Sequence, residues 1–227
     1  MKTDRKYTDM HVELSAFKEH PDTTLDILRR LGFKSVAITY QGIKKNYTPM
    51  KIESSQGLEL ASRVQINPQN RFELLKDLRA YRPRFEVVGV KCVNLDVART
   101  AVRDSRVDVV SFPLENLRVR FSDKLAKLCN AALEITVREL VSAKAPRHLI
   151  FRRLRKEFEC AASNEVHLIV ASGAKSLMEL TPPMDLSSIP AVLGVETMDS
   201  LKTVSEHPYS IIQRNKMKLR GALIGDV

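Results

Sequence analysis

The sequence predicts an α/β fold, a TIM-like (β/α) barrel with seven clear parallel strands and a short or irregular eighth position. Three observations carry this. Short β-branched apolar runs alternate with amphipathic helical stretches, the pattern of parallel strands joined by right-handed crossovers. Seven such strand–helix units within 227 residues suit a closed barrel better than an open doubly wound sheet. No Gly-x-Gly-x-x-Gly follows the first strand, so the main signature of a dinucleotide-binding sheet is missing. The expected organisation is one barrel domain over residues 1–227.

The elements follow in order. "YTDMHVEL" (7–14) alternates as a strand, with Asp9, His11 and Glu13 on one face and Met10, Val12 and Leu14 on the other. In "DTTLDILRRLG" the spacing of Leu25, Leu28 and Leu31 predicts a helix, with Asp22 as its N-cap and Gly32 as its stop. "SVAITY" (35–40) is a buried strand, and the polar stretch after it, "QGIKKNYTPMKIESSQG", reads as a long loop or insertion. Strands are then expected over 60–66, 85–92, 107–112, 133–137 and 167–172. Helices are expected over 68–81, 95–105, 122–132 (capped by Ser122) and 146–163, with further helices toward the C-terminus. The weak eighth position falls near 194–198.

Composition narrows the function classes. The 44% hydrophobic fraction supports a real core, and no run approaches the roughly 20 apolar residues of a membrane span. The polar start "MKTDRKYTD" lacks the apolar region of a secretory signal, so a cytoplasmic location is expected. Cys92, Cys129 and Cys160 are scattered and odd in number, which points to reduced thiols rather than disulfides or zinc. Lys and Arg exceed Asp and Glu by 37 to 27, which suggests a polyanionic partner, nucleic acid before membrane. With no Trp and 6% aromatics, base stacking on single strands is a poor fit.

Catalytic groups of such barrels sit at the C-terminal ends of the strands. There the first strand offers Asp9, His11 and Glu13, but the other strand ends add mainly Tyr40, Gln41, Gln65, Asn67, Cys92, Asn94, Ser111, Thr136, Arg138 and Ser172. A hydrolytic metal site needs carboxylates and imidazoles converging from several strands. Two readings stay open for Asp9, His11 and Glu13: part of a metal-dependent phosphoesterase, or a hydrogen-bonded polar cluster in the lumen, with an arginine such as Arg63 as its companion. "ASGAKS" (171–176), with Lys175, is either a backbone phosphate seat or plain turn chemistry. Positive charge gathers in "LRVRFSDKLAK" (Arg118, Arg120, Lys124), "KAPRHLIFRRLRK" (Arg152, Arg155, Lys156) and "RNKMKLR" (Arg214, Lys216, Lys218). On a helix over 146–163, Ile150, Leu154, Phe158 and Ala161 make the buried stripe, which puts Arg152, Arg155 and Lys156 outside. Together with Lys175, these are the candidate RNA-backbone contacts.

Three blocks, "RVDVVSFPLENLRVRFSDKLAKLCNAALEITVREL", "HLIVASGAKSLMELTPPMDLSSIPAVLGVE" and "VSEHPYSIIQRNKMK", resemble the ribonuclease P protein component 3 family. That family is the archaeal counterpart of the eukaryotic 30-kilodalton ribonuclease P subunit. "YTDMHVEL" and "LGFKSVAITY" are similar to its first two strands, and the resemblance runs in order from about residue 7 to 220. It implies a barrel related to the polymerase-and-histidinol-phosphatase (PHP) metallohydrolases. It further implies a subunit of an RNA enzyme that removes the 5′ leader from precursor tRNA. The protein would stabilise the ribonuclease P RNA and pair with ribonuclease P protein component 2 as a two-plus-two heterotetramer. It would carry no catalytic residue and no cofactor of its own, Mg²⁺ being held mainly by RNA, and the isolated chain would be inactive. Asp9, His11 and Glu13 would then be the remnant of a metal site.

Overall fold

The computed structural model describes residues 5–44, 46–49, 57–116 and 118–221. Seven strands form one parallel sheet in sequence order: β1 (Thr8–Glu13), β2 (Ser35–Gln41), β3 (Glu59–Ile66), β4 (Val87–Lys91), β5 (Val109–Ser111), β6 (Ala132–Thr136) and β7 (Leu168–Ala171). The helices are α1 (Pro21–Arg30), α2 (Arg71–Tyr81), α3 (Leu95–Ala101), α4 (Asp123–Ala126), α5 (Val137–Ser142), α6 (Arg147–Ser163), α7 (Pro183–Val192), α8 (Thr197–Lys202) and α9 (Glu206–Leu219). The sheet curls until its edges meet. Beside β7, Gly173 N–H donates to the His11 carbonyl at 2.9 Å, and Glu13 N–H donates to Ala174 at 2.8 Å.

At the other end of this seam a short wedge stands between the edge strands. Thr8 N–H donates to the Val204 carbonyl and Val170 N–H to the Thr203 carbonyl. The eighth position is therefore the two residues Thr203 and Val204, not the expected 194–198, which hold a turn and the start of α8. The wedge also explains why the C-terminal helical stretch is split into α8 and α9: these two carbonyls leave the helix to bond strands.

Alternation along the strands builds two apolar layers. Val36, Ile38, Val64, Val88, Val90, Leu133 and Val170 pack outward under the helices. Met10, Ala37, Ala61, Val87, Val109, Ala132 and Ile169 fill the lower lumen, where Ile211 and Ile212 of α9 close it from below. Towards the C-terminal ends, the inward positions of the same strands turn polar: Arg63 and Gln65 on β3, Gly89 and Lys91 on β4, Glu134 and Thr136 on β6. This places a polar mouth on an apolar floor.

β1 departs from simple alternation. Asp9 pairs with Val36 and Val12 with Ile38, so Met10 and His11 together face the single residue Ala37. This is a bulge, one extra residue on one strand. Asp9 is thereby separated from His11 and Glu13, correcting the expectation of one shared face. Two smaller corrections concern helix starts. α1 begins at Pro21, with His20 at the N-cap, and Asp22 lies in the first turn. Proline suits that position because its fixed φ is helical and it has no N–H to leave unpaired. α4 is a single turn in place of the expected 122–132, and Ala132 belongs to β6; Ser122 occupies its N-cap but makes no side-chain cap bond. Gly32 ends α1 at φ +96°, as a left-handed stop requires. Of the expected insertion, residues 45 and 50–56 lie outside the described residues.

Candidate functional site: a closed barrel mouth and a basic outer face

Arg63 is the centre of the mouth and is fully buried. Its guanidinium grips both carboxylate oxygens of Glu134, through Nη1 to Oε1 and through Nη2 to Oε2, the latter at 2.6 Å. The same group donates to the Met10 carbonyl at 2.9 Å and to Gln65 Oε1 at 2.7 Å. His11 Nδ1 lies 3.3 Å from Glu134 Oε2. Gly89 makes this possible. A Cβ there would sit 2.4 Å from Gln65 Oε1 and 2.7 Å from Arg63 Nη2, so only glycine leaves room for the fork.

These contacts set the charges. Burial pushes the Glu134 carboxyl up, but the charge and hydrogen bonds of Arg63, then those of His11, outweigh it and hold it down at about 2. Burial, helped by the Arg63 charge, pushes the His11 imidazole below its ordinary value despite Glu134. Arg63 thus engages both Glu134 oxygens at the centre of the mouth. Among the described residues, no three His, Cys, Asp or Glu side chains are grouped to hold a metal ion.

The three candidates on β1 therefore do separate things. His11 joins Arg63 and Glu134. Glu13 accepts from Gln41 Nε2 at 3.2 Å and faces Lys175 Nζ at 3.5 Å. Asp9 lies in the seam, where its Oδ1 accepts the amides of His11 (3.0 Å) and Ser172 (3.2 Å), while its Oδ2 has no hydrogen-bond partner. Burial raises the Asp9 carboxyl to about 6, with the Ser172 side chain and the His11 and Ser172 amides pulling the other way. Around the rim each cation meets a carboxylate: Lys91 with Glu139 at 3.0 Å, Arg138 with Glu179 at 2.6 Å, and Lys175 with Glu13. The cavity they enclose, about 200 Å³, is polar and balanced in charge.

The basic candidates divide sharply. Lys216 is tied inward, to Glu59 Oε1 at 2.8 Å and the Leu60 carbonyl at 2.9 Å. Arg214 lies 3.7 Å from Asp108, Arg155 pairs with Glu159 at 3.3 Å, and Lys175 faces Glu13. Arg118, Arg120, Lys124, Arg152, Lys156 and Lys218 are exposed. Arg120, Arg152 and Lys156 line one cleft with Leu149 and Arg153.

Beneath that cleft is a second buried ion pair. Arg153 Nε donates to Glu157 Oε1 at 2.8 Å, and its remaining donors reach the carbonyls of Pro113 (2.9 Å), Asn116 (3.0 Å) and Val119 (3.1 Å). Glu157 also accepts the Phe121 amide at 3.1 Å, while burial lifts its carboxyl despite Arg153. Neither Glu134 nor this pair was among the residues expected from sequence. The available signals were a carboxylate inside the apolar strand "ALEIT" and an i,i+4 Arg–Glu spacing beside an apolar stripe.

Residues 6–220 match the family model described as RNase P subunit p30. The chain belongs to that family. It is a protein subunit of ribonuclease P, the tRNA-processing ribonucleoprotein. Among its relatives is the ribonuclease P protein component 3 of Methanosarcina barkeri, 25% identical over 84% of this chain and 81% of that protein. The protein of the same name from Methanothermobacter thermautotrophicus is 24% identical over 92% of this chain and 89% of its own length. The fold matches a chain in a cryo-EM structure of archaeal ribonuclease P with mature tRNA, at TM-score 0.80 and 18% identity, covering 97% of this chain and 96% of that one. An amidohydrolase shares the barrel at TM-score 0.58 and 10% identity over 92% of this chain and 74% of its own. No helix among the described residues is long and apolar enough to cross a membrane.

Proposed function

We propose that this chain serves ribonuclease P by binding and stabilising its RNA, and that it does not itself cut precursor tRNA. The observation that carries this is Arg63: its guanidinium occupies the polar mouth and engages both Glu134 oxygens, while Glu13 and Glu139 at the rim face lysines. The exposed Arg118, Arg120, Lys124, Arg152, Lys156 and Lys218 supply the contact with RNA phosphates. The few aromatics fit recognition of folded RNA by shape and backbone. Within this reading the Mg²⁺ of the reaction is held mainly by RNA, and the protein partner is ribonuclease P protein component 2 in a two-plus-two heterotetramer.

Reconstitution tests it. Ribonuclease P RNA is assayed on precursor tRNA over a Mg²⁺ series, with the other protein subunits, with and without this chain. The expected result is a lower Mg²⁺ requirement when the chain is present, and no cleavage by the chain alone. Cleavage by the isolated chain that His11→Ala abolishes would sink the proposal.

A further inference from the structure

We infer that the outer face of α6 carries a preset seat for consecutive phosphates of an RNA strand, with Arg153 and Glu157 as its positioning residues. This rests on the reading that the chain binds RNA, and it names where the contact lies. The seat is a cleft of about 220 Å³ lined by Arg120, Leu149, Arg152, Arg153 and Lys156, four cations and no carboxylate. Arg120, Arg152 and Lys156 take part in no ion pair among the described residues, unlike Arg155, Lys175, Arg214 and Lys216. Their charge is thus available to a ligand.

The geometry is that of a strand-tracking contact. Arg152 and Lys156 lie one helical turn apart, with about 5–6 Å between their Cβ atoms, so they can meet successive phosphates on one line. Arg120 reaches the same cleft from the loop after β5. That loop is held from beneath, by Arg153 through the carbonyls of Pro113, Leu114, Asn116 and Val119 and by Glu157 through the Phe121 amide. The residues that carry these carbonyls and the Phe121 amide are therefore held before any ligand arrives, which removes a cost from binding. Leu149 is the sole apolar wall, whereas a protein interface would centre on apolar and aromatic side chains. Planar guanidinium groups match phosphate oxygens.

The test is the salt dependence of binding between the full chain and ribonuclease P RNA, measured by anisotropy over a salt series. Combining Arg120→Ala, Arg152→Ala and Lys156→Ala should flatten the slope of log K against log salt by about 2–3, at ~0.7–0.9 per lost phosphate contact. Lys76→Ala with Arg99→Ala, both exposed on α2 and α3, should leave the slope unchanged. Arg153→Lys keeps the charge and loses the fork. Assayed where circular dichroism shows it folded, it should flatten the slope by about 1 as Arg120 leaves register, while Arg152→Lys keeps the slope. An unchanged slope in the triple variant, with wild type still salt-dependent, overturns the seat but not RNA binding. Wild-type binding without salt dependence overturns both. Normal RNA binding with lost association to another protein subunit would assign the cleft to an acidic protein and overturn the seat.

Discussion

Two buried arginine–glutamate pairs share their chemistry and do opposite work. Arg63 and Glu134 come from strands far apart in sequence and face each other across the lumen, so their union closes the mouth from within. Arg153 and Glu157 are neighbours on one helix, and their spare donors and acceptors point outward into a loop. The first pair engages polar groups that could otherwise meet a ligand; the second arranges a surface on which ligands can land. A buried ion pair is weak evidence for stability by itself, because desolvation offsets much of the attraction. What distinguishes these two is where their remaining hydrogen bonds go.

The largest expected effect comes from breaking the inner pair. Arg63→Ala leaves the buried Glu134 with only His11 beside it and should cost about 3–5 kcal/mol. For a chain of this size that is a fall in Tm of about 6–20 °C, and adding Glu134→Gln should recover much of it. A fall of only a degree or two would show that the pair is not the clamp described.

The seam residue Asp9 sharpens the comparison, because it is a buried carboxyl without an arginine. Its folded value of about 6 lies above the ordinary 3.8, so protonation favours the folded state. That stability is present in full below about pH 4 and is lost as pH rises through 6, about 3 kcal/mol in all. Glu134 has the reverse sign: held at about 2 against an ordinary 4.5, its contribution is present above pH 4.5 and lost as pH falls toward 2. Asp9→Asn should therefore stabilise the protein at pH 7 and remove its loss of stability between pH 4 and 6, as read from urea denaturation at several pH values. An unaltered pH profile would refute the assignment.

A smaller effect is expected at Gly89. Gly89→Ala pushes a methyl into Arg63 and Gln65 and should cost about 1–3 kcal/mol, visible in thermal melts, and Gln65→Ala in the same chain should relieve part of it. A neutral substitution would mean that the fork has slack.

Most of the architecture was legible because it is local. Two-residue alternation marks the strands, and the α6 stripe of Ile150, Leu154, Phe158 and Ala161 is buried as the helical period demands. What escaped depends on distant partners. Sequence reading reaches Arg63 as a lumen arginine, but its match with Glu134 spans 71 positions and obeys no local period. The bulge at Met10 and His11 exists only relative to β2. The wedge at Thr203 and Val204 is two residues long, too short for any pattern, and is defined by the strand edges it bonds. Arg153 hid inside a basic run, where only its burial separates it from Arg152 and Arg155.

The stopper formed by Ile211 and Ile212 has a consequence for synthesis. The first strand leaves the ribosome early, yet its hydrogen-bonding edge waits for Ala174 and Val204, and the lumen it lines waits for α9. Until those last turns emerge, a nascent chain holds an open apolar tube and an unpaired strand edge, the kind of surface that recruits chaperones or neighbouring chains. Closure of the barrel therefore couples β1 to Ala174, Val204 and α9, segments far from it in sequence.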